Sequence, residues 1–250
     1  MVDRRRKPYH TPPRETAVRG LSDREQPNAA QRRPLFVRLR QASSCVRNRS
    51  RSWLTSLAIR RGLRPDIRRV NLCSGSQRLP GYCNIDLDPA ADLMLDLASG
   101  PLPFPSGSLD VVACISGINY FTRARARALV RETHRVLRRG GVARFSSQDM
   151  EAIARRYVER DVAWFEQRLP NGRFRFEGPT LGDRFAAWFY GYETAGGPCR
   201  YFYDYESLAY LFREAGFGTV ERRGYRDSRL DDVALLDNRP EQVFFLEAVK

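Results

Sequence analysis

The sequence predicts an α/β fold, with a doubly wound and mostly parallel sheet that is covered by helices on both faces. From Arg69 onward, short apolar segments alternate with helical patterns, which is typical of parallel strands buried on both sides. A chain of 250 residues with 42% hydrophobic side chains is long enough to bury one such core. We therefore expect a single α/β domain.

The elements follow in order along the chain. A proline-rich loop at 101–105 excludes helix before the fourth strand. Gly140 and Gly141 are expected to end the predicted helix at 122–137, because glycine readily adopts the left-handed conformation that stops helices. We predict helices over 122–137 and 205–215, and strands over 69–72, 83–87, 93–95, 109–116, 142–146, 219–223 and 242–249.

Three regions differ in composition. Residues 1–31 are rich in Arg, Pro, Glu and Gln with few apolar side chains, which predicts a basic disordered arm. Residues 32–66 interleave arginines with apolar residues and predict a basic amphipathic helical segment. This segment either contacts an anionic membrane surface or an acidic partner, or packs on the domain with its arginines in solvent. Residues 67–250 form the predicted folded domain, with an aromatic helical insertion at about 149–203.

The net charge of +14 lies at one end of the chain. Residues 1–70 hold 19 Lys and Arg against five acidic residues, whereas residues 71–250 hold 24 of each sign. An enzyme that acts on nucleic acid is expected to carry basic surface on its folded domain, so only the arm remains as a route to nucleic acid. No apolar run reaches the roughly 20 residues of a membrane span, and we expect a cytoplasmic protein.

Cysteine and histidine usage argues against metal chemistry. The five cysteines include no C-x-x-C pair, and the chain has only two histidines. We therefore predict no metal site and a reducing compartment.

Ligands of open parallel sheets bind outside the carboxyl ends of the strands, where the strand order reverses. Small residues after the first strand allow the backbone to approach a ligand closely. A carboxylate at the end of the second strand is placed to accept the hydroxyls of a ribose, and one after the third strand is placed to accept an adenine amine. The predicted site residues are Asn71, Cys73, Ser74, Gly75, Asp86, Leu87, Asp96, Leu97 and Ser116.

The order of these segments resembles the class I S-adenosylmethionine-dependent methyltransferases. The stretches that carry the resemblance are 70–75, 79–86, 96–97 with 101–104, 108–112, 132–141, 204–208 and 214–217, and the resemblance covers about 69–250. A dinucleotide-binding enzyme is the nearest competitor, but the chain lacks the G-x-G-x-x-G turn that such an enzyme needs.

The resemblance implies a Rossmann-like fold with a final antiparallel strand, here 242–249, and S-adenosyl-L-methionine as cofactor. It implies that Cys73, Ser74 and Gly75 border the methionine end of the cofactor. It also implies that Asp86 holds the ribose and that Asp96 with Leu97 frames the adenine.

Two departures from the family pattern fall in the cleft. Cys73 stands where the first glycine of the loop is usual, so we expect its side chain to point into the space of the methionine tail. Ser116 and Tyr120 replace two histidines, and Asn119 replaces the acid between them. The remaining candidates for a general base are Asp149, Tyr120 and Asp204, of which we favour Asp149.

Three functions remain open from the sequence. The leading hypothesis is methyl transfer to a small-molecule or saccharide-type acceptor. The alternatives are a binding protein of this fold that has lost catalysis, and an RNA methyltransferase that uses the basic arm. His134 lies on an apolar helix face and is predicted to pack, and the insertion's aromatic residues either line an acceptor pocket or pack the insertion onto the sheet.

Overall fold

The structure is a computed structural model that describes residues 52–61, 64, 66–75, 77–168, 172–191, 193–194 and 197–250. The predicted arm and the helical segment up to residue 51 lie outside the described residues. Residues 52–60 of that segment form a helix, α1. Ile59 of α1 packs into the main core, and the Ser52 hydroxyl accepts a hydrogen bond from the Met94 N–H at 2.8 Å.

A seven-stranded sheet with the order β3-β2-β1-β4-β5-β9-β8 forms the centre of the domain. The first five strands of this order are parallel, and β9 runs antiparallel to both of its neighbours, so the predicted fold class and final antiparallel strand are confirmed. The strands are β1 (Arg69–Leu72), β2 (Cys83–Asp86), β3 (Leu93–Met94), β4 (Leu109–Ile115), β5 (Leu137–Gln148), β8 (Thr219–Arg223) and β9 (Val243–Val249), and β6 (Glu193–Thr194) with β7 (Gly197–Pro198) forms a separate pair.

Helices cover this sheet and form the insertion between β5 and β8. They are α2 (Arg123–Val136), α3 (Met150–Val158), α4 (Val162–Phe165), α5 (Leu181–Tyr190), α6 (Tyr205–Glu214) and α7 (Val233–Leu236). Within the described residues, no helix has the length and apolar character needed to cross a membrane.

The boundary between α2 and β5 differs from the prediction. The helix ends at Val136, and Leu137 is already extended and paired with Leu109 of β4. Gly140 does adopt a positive φ of 73°, but it lies in an irregularity of β5 rather than after a helix. The strand therefore begins five residues earlier than expected, because pairing with β4 takes precedence over continuation of the helix.

The alternation of side chains along β4 builds two apolar layers. Val112 and Cys114 face the main core, which includes buried residues of α2 and α6, whereas Val111 and Ala113 face a smaller cluster with Leu236 of α7. Because both faces are covered, β4 is apolar along most of its length, as expected of a central parallel strand.

The aromatic insertion has a core of its own. Ile153, Trp164, Phe165, Phe176 and Trp188 are buried against one another, with Phe185, Phe189 and Phe202 at the edge of the cluster. Trp164 stacks on Phe176 with a centroid distance of 5.0 Å. The insertion is thus a small packed unit, and its aromatic side chains stabilise it from within.

A buried ion pair lies on the sheet face that α7 covers. The Arg144 guanidinium donates two hydrogen bonds to the Asp237 carboxylate, at 3.1 and 2.6 Å, and both side chains are 0% exposed. Two main-chain carbonyls of the segment after β8 accept the other guanidinium hydrogens, and Glu247 lies 3.8 Å away. Arg144 therefore joins β5 to the segment between β8 and β9.

Replacement of Arg144 by Met is expected to lower the free energy of unfolding by about 3–5 kcal/mol, because it leaves buried carboxylates without a countercharge. Urea denaturation measures this change. The double variant Arg144→Met/Asp237→Leu should recover much of the loss, since it removes both charges. The surface variant Arg155→Gln serves as control, and an Arg144→Met protein as stable as this control would contradict the interpretation.

Candidate active site

A cavity of about 640 Å³ opens at the carboxyl ends of β1 to β4, where the strand order reverses. Its size lies in the range of small-molecule and cofactor pockets. Eight of the residues that the sequence suggests line it, namely Cys73, Gly75, Asp86, Leu87, Asp96, Leu97, Ser116 and Tyr120. The cavity thus brings together residues that follow four different strands.

Asp86 is held by main-chain groups at the end of β2. One carboxylate oxygen accepts the Gly75 N–H at 2.9 Å, and the other accepts the Asp88 N–H at 2.9 Å. A carboxylate has about four acceptor positions, so each oxygen retains capacity for a ligand hydroxyl. Asp86 is half-buried, which leaves this capacity open to the cavity.

Asp96 and Leu97 lie at the cavity edge beyond β3. One Asp96 carboxylate oxygen accepts the Ala98 N–H at 2.9 Å, and the Asp96 carbonyl accepts the Ser99 hydroxyl at 2.8 Å. This local turn fixes the direction of the Asp96 side chain. The apolar side chains of Leu95 and Leu97 flank it along the cavity wall.

The Cys73 side chain lies against the loop after β4. An ideal Cβ placed on Gly117 would be 2.4 Å from the Cys73 Cβ and 2.9 Å from its Sγ, so only glycine fits at position 117. A hydrogen bond with Cys114 and burial raise the pKa of the Cys73 thiol well above its usual range, which keeps it neutral. Cys73 thus lines the cavity and at the same time contacts Gly117 and Cys114.

Ser116 follows β4 in a left-handed conformation, with φ of 56°. Its N–H donates to the Ser146 hydroxyl at 2.9 Å and approaches the Ser146 carbonyl at 3.2 Å. Its own hydroxyl is buried and has no hydrogen-bond partner among the described residues. The main chain of Ser116 is thus anchored to β5, and its hydroxyl at the cavity wall remains able to form a hydrogen bond.

Asn119 and Tyr120 belong to a 3₁₀ turn at Ile118–Tyr120 and have different roles. Asn119 is buried, and its side-chain amide donates to the Ser147 hydroxyl at 3.2 Å and to the Tyr201 carbonyl at 3.1 Å. Its carbonyl accepts the N–H groups of Arg200 and Tyr201. Tyr120 instead lines the cavity and is a hydrogen-bond partner of the Cys199 thiol.

Three of the suggested site residues do not line the cavity. Asn71 is buried within β1 and donates to the Asn84 side chain at 3.1 Å. Ser74 is buried beside the bend, where its N–H donates to the Ile85 carbonyl. Asp149 caps α3 through the Ala152 N–H at 3.1 Å and pairs with Arg222 at 2.9 Å. Because both of its oxygens are engaged in these contacts, Asp149 is a structural residue and a poor candidate for a general base.

Two further polar residues of the sequence analysis also have structural roles. Asp204 caps α6, and its hydrogen bonds from the Ser207 main chain and side chain lower the pKa of its carboxyl. His134 packs edge-on against Phe217 with a centroid distance of 5.0 Å, in agreement with the predicted packing role. Among the described residues, no group of three or more His, Cys, Asp or Glu side chains is arranged to hold a metal ion.

The cavity also contains residues that the sequence did not single out, namely Asp88, Leu95, Ala98, Gly117, Phe121, Thr122, Arg125 and Arg200. Arg125 lies in the first turn of α2, where the repeated arginines have the pattern of a solvated face. Arg200 follows β7 at the end of the insertion, and no sequence signal indicated that this end returns to the cavity. The aromatic residues of the insertion core do not line the cavity.

Comparison with known proteins identifies this arrangement. Residues 83–145, from β2 into β5, match the family model of the methyltransferase domain. This match covers about a quarter of the chain, and over that range the chain is similar to the methyltransferase domain. The cavity at the ends of β1 to β4 is the place in this fold where a ligand is expected.

Solved structures similar to this chain include three S-adenosylmethionine-dependent methyltransferases. The protein from Mesorhizobium loti is 16% identical with a TM-score of 0.43, over 76% of this chain and 95% of its own. The one from Thermotoga maritima is 16% identical with a TM-score of 0.41, over 85% and 96%. The one from Archaeoglobus fulgidus is 11% identical with a TM-score of 0.44, over 80% and 94%. No curated protein matches the sequence.

Gly117→Ala is expected to weaken binding of S-adenosylhomocysteine and to lower the free energy of unfolding by about 1–3 kcal/mol, because the new methyl group overlaps Cys73. Calorimetric titration and urea denaturation measure the two effects. Cys73→Gly in the same protein removes the overlapping atoms and should restore most of both quantities. A double variant no better than Gly117→Ala alone would show that the contact with Cys73 is not the cause.

Proposed function

We propose that this methyltransferase transfers a methyl group from S-adenosyl-L-methionine to a small-molecule or saccharide-type acceptor. The observation that carries the proposal is the convergence of Asp86, Asp96 and the bend at Cys73 and Gly75 on one cavity. These groups come from three different strand ends, and their chemistry matches the ribose, the adenine and the methionine portion of the cofactor. We propose the cytoplasm as its location.

The proposed cofactor contacts follow from the geometry of each group. Asp86 has acceptor capacity left on both oxygens for the two ribose hydroxyls, because its existing partners are single N–H groups. Asp96 takes the adenine amine, and Leu97 beside it contacts the ring. The bend at Gly75 approaches the methionine portion of the cofactor. Gly75 has φ of 57° and no side chain, so its main chain can lie close to a ligand.

The bound cofactor supplies an electrophilic methyl group on a sulfonium, so the protein contributes mainly position. Holding two reactants in line at near-attack distance can contribute up to about 7–11 kcal/mol. In this chain, the anchored loop after β4 supplies the wall beside the reacting groups, with Ser116 and Tyr120 on the cavity side. Among the candidate bases that the sequence suggests, Tyr120 lines the cavity, whereas Asp149 lies in a helix cap and an ion pair outside it.

The alternatives differ in the support that they receive. A binding protein without catalysis was suggested by Cys73, Ser116, Asn119 and Tyr120. Of these, Cys73 packs against Gly117, and the cavity at the bend after β1 is nevertheless present. An RNA acceptor would depend on the basic arm, and a contact with an anionic membrane surface would depend on the helical segment at 32–66. Residues 1–51 lie outside the described residues. We therefore retain the small-molecule acceptor as the proposal.

Asp86→Asn is expected to weaken binding of S-adenosylmethionine by about 1–3 kcal/mol, which corresponds to roughly 5- to 150-fold in Kd, because the charged acceptor of the ribose is lost. Isothermal titration with the cofactor and with S-adenosylhomocysteine measures the change. Asp231→Asn is the matched control, since Asp231 is an exposed carboxylate outside the cavity. Equal affinities for the two variants would refute the ribose assignment, and no binding to the unmodified protein at millimolar ligand would refute the proposed function.

A further inference from the structure

Two arginines in the cavity have no acidic partner. Many arginines elsewhere in the domain pair with carboxylates, for example Arg68 with Asp110 and Arg127 with Glu214. Arg125 and Arg200 are exposed residues that both line this cavity, and neither guanidinium forms a salt bridge or hydrogen bond with a described residue. Their charges are therefore available to a ligand.

The two arginines lie toward different ends of the cavity. Arg125 also lines a neighbouring groove together with Leu97 and Ala98, which places it at the proposed adenine end. The main chain of Arg200 is fixed to the 3₁₀ turn, because its N–H donates to the Asn119 carbonyl at 2.8 Å. Tyr120, the next residue of that turn, lines the cavity as well. Arg200 is thus positioned at the end where an acceptor would enter beside Tyr120.

Among the described residues, the acceptor end of the cavity offers no free general base. The Tyr120 hydroxyl is engaged with the Cys199 thiol, and the Cys73 thiol is kept neutral by a raised pKa. Asp149 is engaged in a helix cap and an ion pair outside the cavity. The carboxylates that do line the cavity, Asp86, Asp88 and Asp96, follow β2 and β3 on the proposed cofactor side. An acceptor that must lose a proton before it reacts therefore finds little help in this site.

We propose that the acceptor is a small-molecule carboxylate and that Arg200 binds it, a proposal that rests on the methyltransferase function given above. Arginine suits this role because its planar guanidinium matches a carboxylate in a bidentate or side-on pair. A carboxylate is already ionised at neutral pH, so it needs no base on the protein. A carboxylate acceptor thus explains both the unpaired guanidinium of Arg200 and the missing general base.

The reaction balances without proton transfer. A carboxylate oxygen forms the new C–O bond to the methyl carbon while the bond between that carbon and the sulfonium sulfur breaks, and the electron pair of the broken bond stays on sulfur. The products are a methyl ester and S-adenosylhomocysteine. Arg200 holds the second carboxylate oxygen and orients the first toward the methyl group. Because the ester product has lost its negative charge, its attraction to Arg200 falls, which favours release.

The test uses the full chain with tritiated S-adenosylmethionine and a filtered small-molecule extract of cells that express the protein naturally. Methyl esters release volatile methanol in base, whereas methyl groups on hydroxyl, amine or ring carbon atoms do not. We expect the transferred label to be released by base. We also expect the rate to stay level between about pH 6 and 9, because a carboxylate with an ordinary pKa near 4 remains ionised throughout.

Three variants assign the role to Arg200. Arg200→Gln should reduce base-labile label about ten-fold or more, through a higher KM for the acceptor, because a charged hydrogen bond is lost. Arg200→Lys should retain part of the activity, since the charge remains. Arg155→Gln removes an exposed arginine of α3 outside the cavity and should act like the unmodified protein. The Kd for S-adenosylhomocysteine should be the same in all of them.

The failures of the two proposals are distinguishable. Transferred label that resists base would leave the methyltransferase function intact and overturn the carboxylate acceptor. Equal activity of Arg200→Gln and Arg155→Gln would overturn the role of Arg200. If Arg200→Gln instead loses affinity for S-adenosylhomocysteine, the guanidinium serves the carboxylate of the cofactor, and the inference is also overturned. Absence of any transferred label despite cofactor binding would refute the enzymatic function itself.

Discussion

The hydrogen bond from the Gly75 N–H to the Asp86 carboxylate determines the geometry of the cofactor half of the cavity. It joins the bend after β1 to the end of β2. The Leu95 N–H, in the chain after β3, donates to the Asp86 carbonyl at 2.9 Å. One residue is thus contacted from three strand ends. Because all of these donors are main-chain groups, the position of the carboxylate depends on the sheet and changes little with the surrounding side chains.

The opposite half of the cavity is constructed differently. Its wall comes from the 3₁₀ turn after β4 and from the last residues of the insertion, and Asn119 joins the two through hydrogen bonds on both sides. The aromatic cluster around Trp188 stabilises the insertion independently of the sheet. The insertion can therefore vary in sequence while Asn119 holds its end at the cavity. The proposed cofactor side and the proposed acceptor side of the cavity are thus held by different parts of the fold.

The sequence was sufficient for the fold and for many of the residues that meet at the cavity, because strand periodicity and strand order decide which residues share one edge of the sheet. Asp86, Asp96 and the bend at Gly75 were found in this way, and they share one cavity. Asp149 also follows a strand, but its side chain satisfies the N-terminus of α3, and a capping role cannot be distinguished from a catalytic one by position alone. Arg200 was missed because its place depends on how the insertion folds back, which is a tertiary contact with no local pattern.

Cys73 and Ser116 depart from the family pattern, and at both positions the surrounding structure holds an unusual backbone conformation. Cys73 and Ser116 both have left-handed backbone conformations, with φ of 55° and 56°, although neither is glycine. Such conformations cost about 1–3 kcal/mol each and persist where the surrounding structure enforces them. Here the close contact of Cys73 with Gly117 and the hydrogen bonds from the Ser116 N–H to Ser146 hold them in place. Packing thus preserves the backbone path around the cavity. The side chains on this path can therefore differ, and a loop without its usual glycine can still form the site.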